Sequence, residues 1–215
     1  SGMSGTGSGL GVFRVGRDVI AHDPDLVLLE FAVNDGGGDD EEVVRSMESL
    51  VVRLKSLAKP PAVVVVNVAA QDGADHKRHE RVASHYGLLS IDLQAAVDAR
   101  LRETGGQWKD LMGDNVHPND KGHALYADAI AAALEPFVER AAKESAAGTA
   151  AAPVLPPPLS RRPLVLDGRM VPLETQPGWT REQKVPWWWT RFFPEGFIRA
   201  SEPGTMLTLD VRATE

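Results

Sequence analysis

Three stretches of the chain are almost continuously apolar: "DLVLLEFAV" (Asp25 to Val33), "PAVVVVNVA" (Pro61 to Ala69) and "LLSIDL" (Leu88 to Leu93). Each is short, rich in β-branched residues and bounded by breakers, which predicts a strand. Continuous rather than alternating apolarity predicts that both faces are covered, as in a parallel sheet between helix layers. The segments between them carry a helical period: "VFRVGRDVIAH", "DDEEVVRSMESLVVRLKSLAK" and "DHKRHERVASHYG", followed by "QAAVDARLRETGG" and "NDKGHALYADAIAAALEPFVERAAKES". The long second segment opens on Asp39, Asp40, Glu41 and Glu42 and closes on Lys55 and Lys59, the charge order that a helix dipole favours. Strand and helix alternating at this spacing predict right-handed crossovers and an α/β three-layer α/β/α sandwich with a parallel sheet over residues 1–145. Three strands make a small parallel sheet, so further strands are expected ahead of residue 1.

The pattern then breaks. Residues 146–163 are Ala-rich with five prolines from Pro153 to Pro163, the composition of a semi-rigid linker. Residues 164–215 alternate between apolar and polar with Gly and Pro punctuation and include the hairpin signal Asp167-Gly168. They predict a partial antiparallel β domain.

Charge narrows the partners. The formal net charge of −7 is uneven: residues 153–215 hold 8 Lys+Arg against 7 Asp+Glu, leaving 15 against 23 in residues 1–152. An acidic first domain without a basic stripe repels phosphate backbones, so no nucleic-acid partner is expected. No apolar run approaches the roughly 18 residues that span a bilayer. The chain lacks cysteine, which excludes disulfides and thiolate metal sites and leaves the compartment open.

In an open parallel sheet, ligands bind beyond the carboxyl ends of the strands. The first strand leads into "FAVNDGGG", which puts Asn34 and Asp35 at that lip. A neutral Asn side chain donates to a developing oxyanion without becoming a proton source; taken alone, the motif is read more simply as an Asx turn leaving a strand. Before the last helix lies "GDNVHPNDKGH", where Asp114 and His117 are three apart. In a turn, that spacing lets the carboxylate accept from one ring nitrogen and leaves the other as general base. A plain loop before a helix is the alternative.

The glycine-rich opening "SGMSGTGSGLGVF" raises a phosphate cradle, and spacing removes it. No lysine precedes Lys55, so the P-loop pattern fails, and no glycine triple has the i, i+2, i+5 spacing of the dinucleotide fingerprint. Read together, "MSGTGS", "AVND" and "DNVHP" in this order resemble the Gly, Asn and His blocks of the SGNH, or GDSL-type, esterases and lipases. The resemblance covers roughly residues 2 to 140. It implies a flavodoxin-like fold and ester hydrolysis with no cofactor or metal. It also implies roles: His117 as general base, Asp114 as its orienting carboxylate, and Asn34 with Gly5 as oxyanion donors, with Gly7 an alternative register for the glycine. Ala32 stands where that family usually has Gly. The Gly-Asp-Ser block that carries the nucleophile in the family occurs nowhere in the 215 residues. The expectation is therefore a fragment, inactive alone, whose strand 25–33 offers an exposed edge for pairing. The resemblance also points to a secreted or periplasmic setting.

Other features have plainer readings beside sharper ones. "KVPWWWTRFFPEGF" presents five aromatics from Trp187 to Phe193. Trp187 and Trp189 are candidates for stacking on sugar, and the filling of a β-sandwich core is the other reading. A glycan-binding protein without catalysis on the same scaffold is thus the rival to an ester hydrolase. His76 and His79 share a helix face, yet "DHKRHER" reads as a solvated charged surface rather than a metal site.

Overall fold

The computed structural model describes residues 4–143, 179–182 and 197–200. The chain divides into two units, Ser1–Pro163 and Leu164–Glu215. In the first, helix α1 (Ser8–Asp18) leads through a 3-10 turn (Ile20–His22) to strand β1 (Leu26–Leu29). Then α2 (Asp40–Lys55), β2 (Ala62–Asn67), α3 (Lys77–His85), β3 (Leu89–Asp92), α4 (Leu93–Thr104) and α5 (Asp120–Lys143) follow. The second unit contributes β4 (Trp179–Glu182) and β5 (Phe197–Ala200), paired antiparallel. The linker expected at 146–163, the Asp167-Gly168 hairpin, Trp187 and Trp189 lie outside the described residues.

The sheet of the first unit is parallel in the order β1-β2-β3, with Leu28 opposite Val64 and Val65 opposite Ser90. Strand residues alternate between two cores. Val27, Leu29, Val63 and Val65 face the layer formed by α1, α2 and α3. Val64, Val66 and Ile91 face α4 and α5. These are the three layers that continuous apolarity predicts. Helix α2 anchors the first layer: Met47, Leu50, Val51 and Leu54 are at most 2% exposed. Burial of each large side chain contributes about 1.5–3 kcal/mol relative to exposure. Its first turn is capped by Asp39, whose carboxylate accepts from the Glu41 and Glu42 amides at 3.1 Å.

Of the boundaries that differ from the sequence expectation, two bear on the site. Helix α1 starts at Ser8, inside the glycine-rich opening, rather than at Val12. Its Gly9 and Gly11 are poor helix formers, but Val12 and Val15 are buried in the first core, and tertiary packing overrides propensity. Strand β1 ends at Leu29 rather than Val33. The Asp35 amide donates to Phe31 O at 2.9 Å and the Gly36 amide to Val33 O at 3.2 Å, curling the chain into a turn. At the sheet edge, the second face of β1 is open: Leu26 and Leu28 are 42% and 44% exposed.

Candidate active site

All three strands run parallel, so their carboxyl ends share one edge of the sheet, and the loops leaving β1 and β2 emerge there. The loop after β1 carries Asn34, which is exposed in the turn, while Ala32 behind it is buried at 1% exposure. The loop after β2 meets the segment before α5, where the Gln71 amide donates to Asn115 O at 2.8 Å. The "AVND" and "DNVHP" segments thus belong to the same edge.

The segment from Leu111 to Asn119 is a tight, self-bonded loop. The Gly113 amide donates to His117 O (2.7 Å), the Asn119 amide to Leu111 O (3.0 Å) and Trp108 Nε1 to Asp114 O (2.7 Å). Asn119 then caps α5 by accepting from the Lys121 and Gly122 amides at 3.0 and 3.1 Å. Inside the loop, Asp114 Oδ1 accepts from the Val116 and His117 amides at 2.8 Å each, and Oδ2 lies 2.8 Å from His117 Nδ1. The two backbone donors, together with the imidazole, hold the Asp114 carboxyl down to about 2. An ionised carboxylate at Nδ1 places the ring hydrogen there and leaves Nε2 as the lone-pair nitrogen. The ring is 78% exposed, and Nε2 bonds to no other described residue. The bond from Asp114 to one ring nitrogen is the contact that their three-residue spacing allows.

The glycine loop and the Asn34 turn are packed together. Gly5 has a positive φ of 68° in an exposed turn. Gly7 follows in extended backbone, and a Cβ there would sit 3.6 Å from Asn34 O and inside contact distance of Asp35 Oδ1. No hydrogen bond joins the Gly5–Asn34 pair to the Asp114–His117 pair among the described residues.

Below the lip lies a buried polar cluster that sequence reasoning misplaced. Asp35 is 6% exposed; its Oδ1 accepts from the Ser8 amide at 2.8 Å, and its Oδ2 lies 2.9 Å from His79 Nε2. Burial raises the Asp35 carboxyl, but the bonds from His79 and Ser8 outweigh it and leave it below its ordinary range. His79 is 0% exposed and Arg78 7%, so the solvated surface expected of "DHKRHER" is wrong at these two positions. The missed signal is the stripe His79, Val82, Ala83, Tyr86 at spacings of three, four and seven, one helix face turned into the first core. His76 faces elsewhere, its Nε2 3.1 Å from Val68 O. Burial also pushes up the Glu30 carboxyl, at the end of β1.

The profile of the GDSL-like Lipase/Acylhydrolase family matches residues 1–125, more than half of the chain. The chain belongs to that family. Among solved structures, this GDSL-type chain is similar to a two-domain esterase active on acetylated mannans, with a TM-score of 0.70 and 25% identity over 95% of this chain and 54% of that one. The same esterase co-crystallised with mannopentaose gives a TM-score of 0.67 at 26% identity, over 95% of this chain and 53% of that one. A catalytic mutant of Axe2, an acetylxylan esterase from Geobacillus stearothermophilus, shares the fold at a TM-score of 0.52 and 24% identity, over 62% and 70% of the two chains. The GDSL-type chain therefore spans about half the length of the mannan esterase it matches. A search of curated proteins gave no match. No helix among the described residues is long and apolar enough to cross a membrane.

Proposed function

We propose that this chain carries the general base and the oxyanion hole of a GDSL-type ester hydrolase acting on acyl esters, with O-acetylated carbohydrate as the substrate class. The observation that carries the proposal is the Asp114–His117 pair, in which a backbone-locked carboxylate orients an exposed imidazole. In the reaction, a serine hydroxyl adds to the ester carbonyl as its proton passes to His117 Nε2. The oxyanion accepts from the Asn34 side-chain amide and the Gly5 backbone N–H. Collapse expels the alcohol, which takes the proton from His117, and water then repeats the sequence on the acyl-enzyme. Carbohydrate as the alcohol part is supported by the mannan esterase likeness. Trp187 and Trp189 are assigned to sugar contact on the strength of their sequence alone.

The serine of a Gly-Asp-Ser block completes this scheme, and neither serine of the glycine loop takes its place. Ser8 is 1% exposed with its amide committed to Asp35, and Ser4 lies in an exposed turn with no bond to His117. Residues 1–215 alone then hydrolyse no ester. The test is p-nitrophenyl acetate hydrolysis by the chain as it stands and by a fusion to the Gly-Asp-Ser segment of a family member. The fusion gains activity that His117→Ala removes, and the unfused chain stays at the buffer rate. Turnover by the unfused chain that His117→Ala abolishes would overturn the assignment.

A further inference from the structure

The two oxyanion candidates sit on separate segments: Gly5 three residues before helix α1, and Asn34 in the turn after β1. One carboxylate ties these segments together. Asp35, next in the chain to Asn34, accepts from the first amide of α1 through Oδ1 and from His79 of α3 through Oδ2. Arg78, beside His79, holds the far end of the same turn: its Nη1 donates to Gly38 O at 2.9 Å and lies 3.4 Å from Asp40. Helix α3 therefore grips the Asn34 turn at both ends, from residues adjacent in its first turn. An apolar pair of similar volume would fill this space at lower desolvation cost, so burying a carboxylate here is an expensive route to stability alone. What a directional, charge-assisted bond adds is geometry.

We propose that His79, acting through Asp35, is a positioning residue that fixes the Asn34 turn against the glycine loop and so sets the spacing of the two oxyanion donors. The functional meaning rests on the roles proposed above for Asn34 and Gly5; the bond network does not. The Asp35 carboxylate can only accept, so the His79 ring carries a hydrogen on Nε2, while Nδ1 is buried without a partner among the described residues.

The experiment uses the full ¹⁵N-labelled chain. In the wild type, long-range ¹H–¹⁵N correlation places a hydrogen on His79 Nε2; an Nε2 without hydrogen would overturn the proposal. In His79→Leu, amide exchange at Ser8 and Gly38 accelerates about tenfold or more, the scale of one lost charge-assisted bond, while Val65 and Val97 are unchanged. His79→Gln, which keeps a side-chain N–H of similar reach, restores protection. Unchanged exchange at Ser8, or equal acceleration at Val65, would reduce His79 to a filler and refute the assignment. If His79→Leu does not fold, Asp35→Asn carries the same comparison, with the same expected and refuting results. None of these readouts needs esterase activity. Failure of the oxyanion assignment shows separately, as Asn34→Ala without effect in the Gly-Asp-Ser fusion.

Discussion

Gly7→Ala tests whether the glycine loop and the Asn34 turn are locked together as described. Gly7 precedes α1 with φ −86° and ψ −176°, a conformation open to alanine, so backbone strain contributes nothing. The entropy that alanine removes from the unfolded chain stabilises by about 0.4–1 kcal/mol. Replacing glycine by alanine at an N-cap costs on the order of 1 kcal/mol, so these two effects nearly cancel. What remains is the contact. The added methyl falls inside the 3.0 Å that real Cβ atoms keep from Asp35 Oδ1, and 3.4 Å from its Cγ. The cheapest relief is rotation of the carboxylate, which gives up the 2.8 Å bond from the Ser8 amide. Loss of a hydrogen bond to a charged group costs about 1.5–3 kcal/mol, and that is the expected destabilisation. Urea unfolding followed by far-UV circular dichroism reads it as a midpoint lower by about 1 M at unchanged slope. Gly37→Ala is the control, since a Cβ there meets nothing within 4 Å; it should stay within about 0.5 kcal/mol of wild type. Equal midpoints for Gly7→Ala and Gly37→Ala would refute the contact.

Three further outcomes are expected. The Asp114 carboxyl, followed by ¹³C NMR, titrates near 2 rather than at its ordinary 3.8. Because the folded value is the lower one, its stabilising contribution is full above 3.8 and is lost as pH falls towards 2; a midpoint at 3.8 would mean that the loop bonds are not formed. The open face and edge of β1 should drive self-association that rises with concentration in sedimentation velocity, and Leu28→Lys should suppress it; a wild type that stays monomeric throughout contradicts this. Replacing Trp187 and Trp189 together by alanine should abolish retardation in affinity electrophoresis through acetylated mannan, whereas undiminished retardation of the variant would remove these residues from sugar contact.

The strands and helix α2 were legible because their signals are strong and local. Four consecutive valines from Val63 to Val66 admit little else, and the acidic start and basic end of α2 mark its polarity. Asp114 and His117 were legible because three residues of spacing and a following proline define a turn on their own. Helix α1 was read four residues short, since Gly9 and Gly11 argue against helix while the Val12 and Val15 burial that overrides them is tertiary. His79 was misread for a related reason. Charged neighbours on both sides suggested solvent, and only its register with Val82, Ala83 and Tyr86 shows which face it occupies. A buried His–Asp bond across 44 positions of sequence leaves no local trace.

The central claim is that the Asn34 wall and the His117 base serve one reaction. Its most direct test is the kcat for p-nitrophenyl acetate of the Gly-Asp-Ser fusion carrying Asn34→Ala, His117→Ala or both. Asn34→Ala should lower kcat by about 10²–10³ with little change in KM, the effect of one oxyanion donor. The double variant should be scarcely slower than His117→Ala alone, because groups that act as a unit are not additive. An Asn34→Ala fusion with undiminished kcat, or two losses that multiply independently, would contradict it.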